Sequence, residues 1–308
     1  MDGLLILDKP GGPTSHDIVA RIRRLFRSPR VGHTGTLDPM ASGVLPLVLG
    51  RATRLARFLS SDRKRYEAVV QLGQATATYD RLGDPVGPAI TPTDLTGQAL
   101  ASALDRFRGA IVQTPPAYSA KKIAGEAAYK LARRGEAVTP APVQVHVSRL
   151  DLMAVDAPGG RVTLDVECSA GFYVRSLAHD LGIALGCGGH LTALRRTASG
   201  EWTLAHAVTL DLCEREPDQA RARLVPMSGL LTWMPGASLT DAGVTRVRHG
   251  QPVRPVDLAP PAPLAGAPDG PGNNPGHNYV RLLDQEGALL ALAQPAADGT
   301  LHPALVLV

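Results

Sequence analysis

Residues 32–43 read GHTGTLDPMASG, a loop of glycines, hydroxyl residues and one proline around a single carboxylate, Asp38. Glycine admits backbone dihedrals closed to other residues, and Pro39 biases Asp38 away from the helical region. A carboxylate presented from such a turn can act as a nucleophile, a base or a metal ligand. A simpler role is also open, in which Asp38 only accepts bonds from nearby backbone N–H groups.

Several elements must position this loop. LLILD at 4–8 has strand character, and Thr14 or Ser15 can cap a helix whose apolar residues Ile18, Val19, Ile22, Leu25 and Phe26 recur at helical spacing. After the loop come an apolar VLPLVLG and a helical ATRLARFL. Residues 66–72 alternate as a strand, and a Gly/Asp loop spans about 76–87. Helices are predicted over 94–107 and over 122–134, the second closed by Gly135. The stretches 143–155 and 161–170 alternate and are separated by Pro158 and two glycines, which predicts a β-hairpin. A helix follows, FYVRSLAHDLGIALG, ending at Gly186, then strand and turn character over 192–204. Hairpins with interspersed helices indicate an α+β fold rather than alternating βαβ units. Composition shifts near Pro235, and 236–308 is expected to be a small β-rich domain. Its Pro/Gly-rich stretch 258–278 is expected to be disordered.

The 308 residues suffice for two domains, and 44% are apolar. No apolar run is long enough for a spanning helix, and no export signal is expected. Cys168, Cys187 and Cys213 are widely spaced, as free thiols in a reducing cytosol would be, so a cytoplasmic protein without membrane association is expected. A net charge of +4 is mildly basic and permits nucleic-acid binding. All five lysines, Lys9, Lys64, Lys121, Lys122 and Lys130, fall in the N-terminal half, inside the motifs below.

Those motifs are LLILDKPGGPTSHD at 4–17, the Asp38 loop, SDRKRYEAVVQLGQATATYD at 61–80, TPPAYSAKKIAGEAAYKLARRG at 114–135, and GFYVRSLAHDLG at 171–182 with HLTALRR at 190–196. In this order they closely resemble the TruB family of tRNA pseudouridine-55 synthases of the bacterial, stand-alone type. The resemblance implies a pseudouridine synthase domain over 1–235, a large, mainly antiparallel mixed sheet flanked by helices, with 114–135 as an RNA-clamping insertion. The C-terminal part is similar to a PUA domain, a small β-barrel that binds RNA. The implied reaction breaks the C1′–N1 bond of a uridine, turns the ring and rejoins it through C5. It needs no cofactor, and no GxGxxG, phosphate-binding loop or paired zinc-ligand motif is present. CGGH at 187–190 lacks a second ligand pair, so no metal site is expected.

By resemblance Asp38 is the nucleophile. Arg175 is its cation, since an ionised, poorly solvated carboxylate needs one nearby. Tyr66 stacks on the target base, with its hydroxyl implicated in removing the C5 proton. Tyr173 and Leu194 line the pocket, and His33 supports the flipped-out loop of a T-arm substrate. Lys9, Lys64, Lys121 and Lys122 are expected to contact RNA. Asp80 is assigned active-site support only, because Ala77 stands where the family segment carries another acidic residue. The competing role is a tRNA-binding or folding module without chemistry, which would not require Asp38. A glycosidase would require a second, paired carboxylate, and none stands out. A guide-RNA-dependent relative would dock partner subunits, and the short lead into LLILDKP leads us to expect no obligate protein partner.

Overall fold

The alternating stretches 143–155 and 161–170 become an antiparallel pair, strands Val143–Asp156 and Arg161–Ser169 joined by a turn at 157–160. The computed structural model describes residues 1–60, 63–92, 95, 97–119, 121–123, 125–136, 138–260 and 278–308. Contacts divide the chain into two units: Met1–Asp38, Leu45–Ser61 and Ala205–Val308 form the first, Pro39–Val44 and Asp62–Leu204 the second.

In the second unit the strands run Gly109–Gln113, Val143–Asp156, Arg161–Ser169, Arg63–Leu72 and Gly189–Ser199, each antiparallel to its neighbour. Alternation puts Tyr66, Ala68, Val70, Val162, Leu164 and Val166 on the buried face. The other face carries charges laid out as cross-strand pairs. Arg65 grips Asp165 with two bonds, Nε to Oδ1 at 2.8 Å and Nη2 to Oδ2 at 2.7 Å, which lowers the Asp165 carboxyl pKa. Helix Val174–Ala184 lies against strands 189–199 and 63–72 through buried Leu177, Ala178 and Leu181. The last pairing is parallel: Ser42 and Gly43 sit opposite Arg195 and Arg196. Gly43 has φ 104°, and a Cβ there would lie 2.2 Å from the Arg196 carbonyl oxygen, so the final glycine of GHTGTLDPMASG is required by strand pairing.

In the first unit the opening strand, Gly3–Lys9, is buried along nearly its whole length, as befits an interior strand covered on both faces. It pairs with Val208–Thr209 and Val225–Pro226, whose elements the sequence did not announce. Helix Ser15–Leu25 starts at a capping box. Thr14 Oγ1 accepts from the Asp17 N–H (3.0 Å), and Asp17 Oδ2 accepts from the Thr14 N–H (2.9 Å). The C-terminal sheet of this unit orders Gly236–Ser238, Val280–Leu283, Leu289–Pro295 and Leu301–Val306. Its core is Ala237, Leu239, Val247, Val280, Leu282 and Leu301, closed by helix Asp241–Arg248. Most of the 258–278 stretch lies outside the described residues.

Two helices differ from expectation. The helix predicted over 94–107 is Gln98–Asp105 among the described residues. The one predicted from 122 begins only at Ala128. Lys122–Ile123 and Glu126–Ala127 instead form a two-stranded hairpin around Gly125, whose φ of 87° breaks a right-handed helix. Gly135 closes this shorter helix at φ 78°.

One buried carboxylate organises the C-terminal sheet's flank. Asp257 receives Arg254 Nε and Nη2 at 3.0 Å and lies 3.4 Å from Arg246 Nε, and its carbonyl accepts from Thr240. Hydrogen bonds from Arg254 hold its carboxyl at about 2, below the ordinary 3.8. A depressed pKa stabilises the fold fully above the ordinary carboxylate range and loses that contribution as pH falls through the folded value. Asp257→Asn is therefore expected to melt below wild type at pH 7, with the gap closing between about pH 4 and about pH 2. Thermal unfolding followed by circular dichroism measures it, and a gap independent of pH contradicts the assignment.

Candidate active site

Asp38 ends the first unit's opening stretch, and Pro39 is counted with the second. The loop leading to it is clamped at both ends. Thr34 donates its N–H to the Pro46 carbonyl (3.2 Å) and accepts from Ser60 Oγ (3.1 Å) on its own carbonyl. Leu37, the residue before Asp38, is buried and gives its N–H to Ser15 Oγ (2.9 Å), while Ser15 donates back to the Leu37 carbonyl (3.1 Å). Ser15 is the first residue of the helix, so LDKPGGPTSHD holds GHTGTLDP through one hydroxyl. Asp38 itself is half-buried. His33, at the end of strand Val31–His33, packs edge-on against His16 with ring centroids 6.0 Å apart.

The second unit carries Tyr66, Tyr173, Arg175 and Leu194. Tyr66 is mid-strand and buried, opposite Val166 on one neighbour and Arg196 on the other. Leu194 is buried opposite Ala68. Arg175 is buried at 5% exposure. Its Nη1 donates to the Thr78 carbonyl (3.1 Å), its Nη2 to the Tyr118 carbonyl (3.0 Å), and its Nε lies 3.7 Å from Asp80 Oδ2. This one guanidinium gathers a helix, the 76–84 turn and the 114–119 segment. Asp80 is buried too, fixed by Thr78 Oγ1 (2.7 Å) and the Leu82 N–H (3.0 Å). The carboxylate given only a supporting place by sequence is thus an ion-pair partner of Arg175.

Sequence reasoning missed three positioning groups. The buried Gln113 amide bridges both backbone groups of Tyr173: its Oε1 accepts from the Tyr173 N–H (2.8 Å) and its Nε2 donates to the Tyr173 carbonyl (3.1 Å). Ser176 Oγ donates to the Thr114 carbonyl (2.8 Å). Arg196, fully buried, gives Nε to the Val44 carbonyl (2.7 Å) beside Gly43. The only available signal was a polar residue inside an otherwise apolar pattern.

The lysines divide. Lys121 and Lys122 are exposed and Lys64 is half-buried. Lys9 is fully buried with its ammonium donating to the Pro10 carbonyl (2.9 Å), a bond it would have to leave to reach a phosphate. Among the described residues no group of three His, Cys, Asp or Glu side chains could hold a metal ion. No helix there is long and apolar enough to cross a membrane.

Residues 23–174 match the family model for the N-terminal domain of TruB family pseudouridylate synthases, and residues 175–232 match that for the C-terminal domain of tRNA pseudouridylate synthase B. The chain belongs to the TruB family. A Solibacter usitatus tRNA pseudouridine synthase B is 42% identical over the full length of both chains. The Pseudomonas aeruginosa protein of the same name is 41% identical over 98% of this chain and 95% of that one. A solved structure of a Cbf5–Nop10–Gar1 complex contains a chain with TM-score 0.69 and 26% identity, covering 99% of this chain and 85% of its own. The TruB-type fold, a large mixed sheet flanked by helices with a further C-terminal sheet, is therefore present as the sequence implied.

Ser15→Ala would leave two buried backbone groups of Leu37 unsatisfied. It is expected to cost about 1–3 kcal/mol in urea unfolding. A loss below about 0.5 kcal/mol, the range of an ordinary surface substitution, would show that the hydroxyl does not clamp the loop.

Proposed function

We propose that the protein is a tRNA pseudouridine synthase that isomerises the T-loop uridine, position 55 of tRNA, with Asp38 as nucleophile. The observation that carries this is the full-length likeness, at 41–43% identity, to proteins named tRNA pseudouridine synthase B. The chain keeps Asp38, Tyr66 and Arg175 within the matching motifs.

The target uridine is stacked in a folded T arm, so it must be flipped out before chemistry, at a cost of a few kcal/mol. His33 supports the opened loop. Tyr66, set rigidly in mid-strand, offers a face for the flipped base, and its hydroxyl assists loss of the C5 proton. Arg175 supplies the cation that favours an ionised nucleophile. Tyr173 and Leu194 line the base pocket, and Asp80 orients Arg175. Asp38 holds one fragment after the C1′–N1 bond breaks, the uracil turns, and C5 bonds to C1′. The C1′–N1 bonding pair leaves with uracil N1, C5 uses ring electrons to bond C1′, and the proton lost from C5 is balanced by one gained at N1, so the change is an isomerisation that needs neither cofactor nor metal.

Residues 1–235 form the catalytic domain in this scheme, and 236–308 a PUA-like RNA-binding domain. The exposed Lys121 and Lys122, on the 114–135 insertion, grip T-arm phosphates; Lys64 adds a further RNA contact, and Lys9 does so on leaving the Pro10 carbonyl. The protein works in the cytoplasm without an obligate partner.

The test is tritium release from tRNA transcripts labelled at uracil C5, with wild type and Asp38→Asn side by side. Release by wild type alone, mapped to the T-loop uridine, is the expected result. Binding of tRNA without release by either protein would leave a tRNA-binding or folding module.

A further inference from the structure

Tyr79 is one of three non-glycine residues with positive φ among the described residues, at 63°. The left-handed region suits glycine or asparagine, and a bulky residue persists there only when its surroundings over-determine it. Here they do. The Tyr79 N–H donates to the Thr76 carbonyl (3.2 Å), and the Tyr79 carbonyl accepts from the Leu191 N–H (3.0 Å). Its ring stacks flat on His179, with centroids 3.8 Å apart and planes 9° from parallel. His179 lies one helical turn after Arg175 and shares its face. Tyr79 directly precedes Asp80. The same turn and the same helix are thus joined by two adjacent contacts, 79 to 179 and 80 to 175.

The stack has no evident acid–base or hydrogen-bonding task. His179 Nδ1 is buried without a hydrogen-bond partner among the described residues. Burial pushes the His179 imidazole down and the Tyr79 phenol up, so both rings are neutral near pH 7. The half-buried Asp180 beside them is pushed up by burial as well.

We propose that Tyr79 and His179 are a positioning pair. Their stack fixes the 76–84 turn against helix Val174–Ala184 and so holds Asp80 on Arg175. The proposal rests on the reading of Arg175 as a participant in pseudouridine formation. It explains why a tyrosine, and not a glycine, occupies a left-handed position beside a buried carboxylate.

The experiment uses the full chain and an unmodified tRNA transcript, with single-turnover pseudouridine formation, tRNA affinity and amide hydrogen exchange measured on each variant. His179→Ala and Tyr79→Gly are expected to slow the single-turnover step about 10-fold or more, with tRNA affinity within about two-fold of wild type. Tyr79→Phe and His179→Phe keep a stacked ring pair and are expected to retain the rate. In an Asp80→Asn background, His179→Ala is expected to add no further loss, because the stack acts through Asp80. Exchange at the Arg81 and Leu82 amides, which bond the Leu191 carbonyl and Asp80 Oδ1, is expected to quicken in His179→Ala and Tyr79→Gly. Any of three results overturns the pair: Tyr79→Phe as slow as Tyr79→Gly, a full multiplicative loss in the double variant, or unchanged exchange at Arg81 and Leu82. Wild type inactive on tRNA would sink the functional reading instead, and the exchange measurement would still decide the stack.

Discussion

A guanidinium cannot be left bare in a protein interior, and the arrangement around Arg175 follows from that constraint. Removing it from water carries a penalty of several kcal/mol unless its donors are matched by acceptors and its charge by a carboxylate. Two carbonyls, those of Thr78 and Tyr118, and the Asp80 carboxylate are among the groups that answer it. Each partner belongs to a different stretch of chain from the helix that carries Arg175. Satisfying one side chain therefore fixes a turn, a loop and a helix together, and it holds a positive charge in place without relying on solvent. Gln113 and Ser176 reinforce the same helix start through its backbone and first turn.

The first unit solves a different problem, how to present a carboxylate from a loop that lacks regular hydrogen bonding. Its answer is uncharged: Ser15 takes both backbone groups of Leu37, while Pro46 and Ser60 fix Thr34. Preorganisation of this kind removes the entropy of loop ordering before substrate arrives. The glycine at the far end of the motif serves strand pairing, since no side chain fits between Gly43 and the Arg196 carbonyl.

Much of this was legible in the sequence. Period-two alternation gave the 143–169 hairpin, and helical spacing with a Thr14 cap gave helix Ser15–Leu25. The motif order pointed to the family, because each motif combines chemistry-bearing residues with the glycines and prolines that shape their loops. What escaped was of two physical kinds. The 122–134 helix failed because Gly125 permits a turn that competes with a run of otherwise good helix formers. The roles of Asp80, Gln113 and Ser15 escaped because buried polar groups find partners far along the chain, and a residue's own neighbours say nothing about which carbonyl it will meet. The sequence supports only an auxiliary place for Asp80, three residues after Ala77, because its partner Arg175 lies 95 positions away.

The planar fork of Arg175, and not its charge alone, gathers helix Val174–Ala184, the 76–84 turn and the 114–119 segment. Arg175→Lys tests it most directly, because lysine keeps the charge and loses the fork. Single-turnover pseudouridine formation on tRNA, measured alongside tRNA affinity, is the readout. The expected result is a rate reduced by about 100-fold or more with affinity little changed. A lysine variant within about three-fold of the wild-type rate would contradict it.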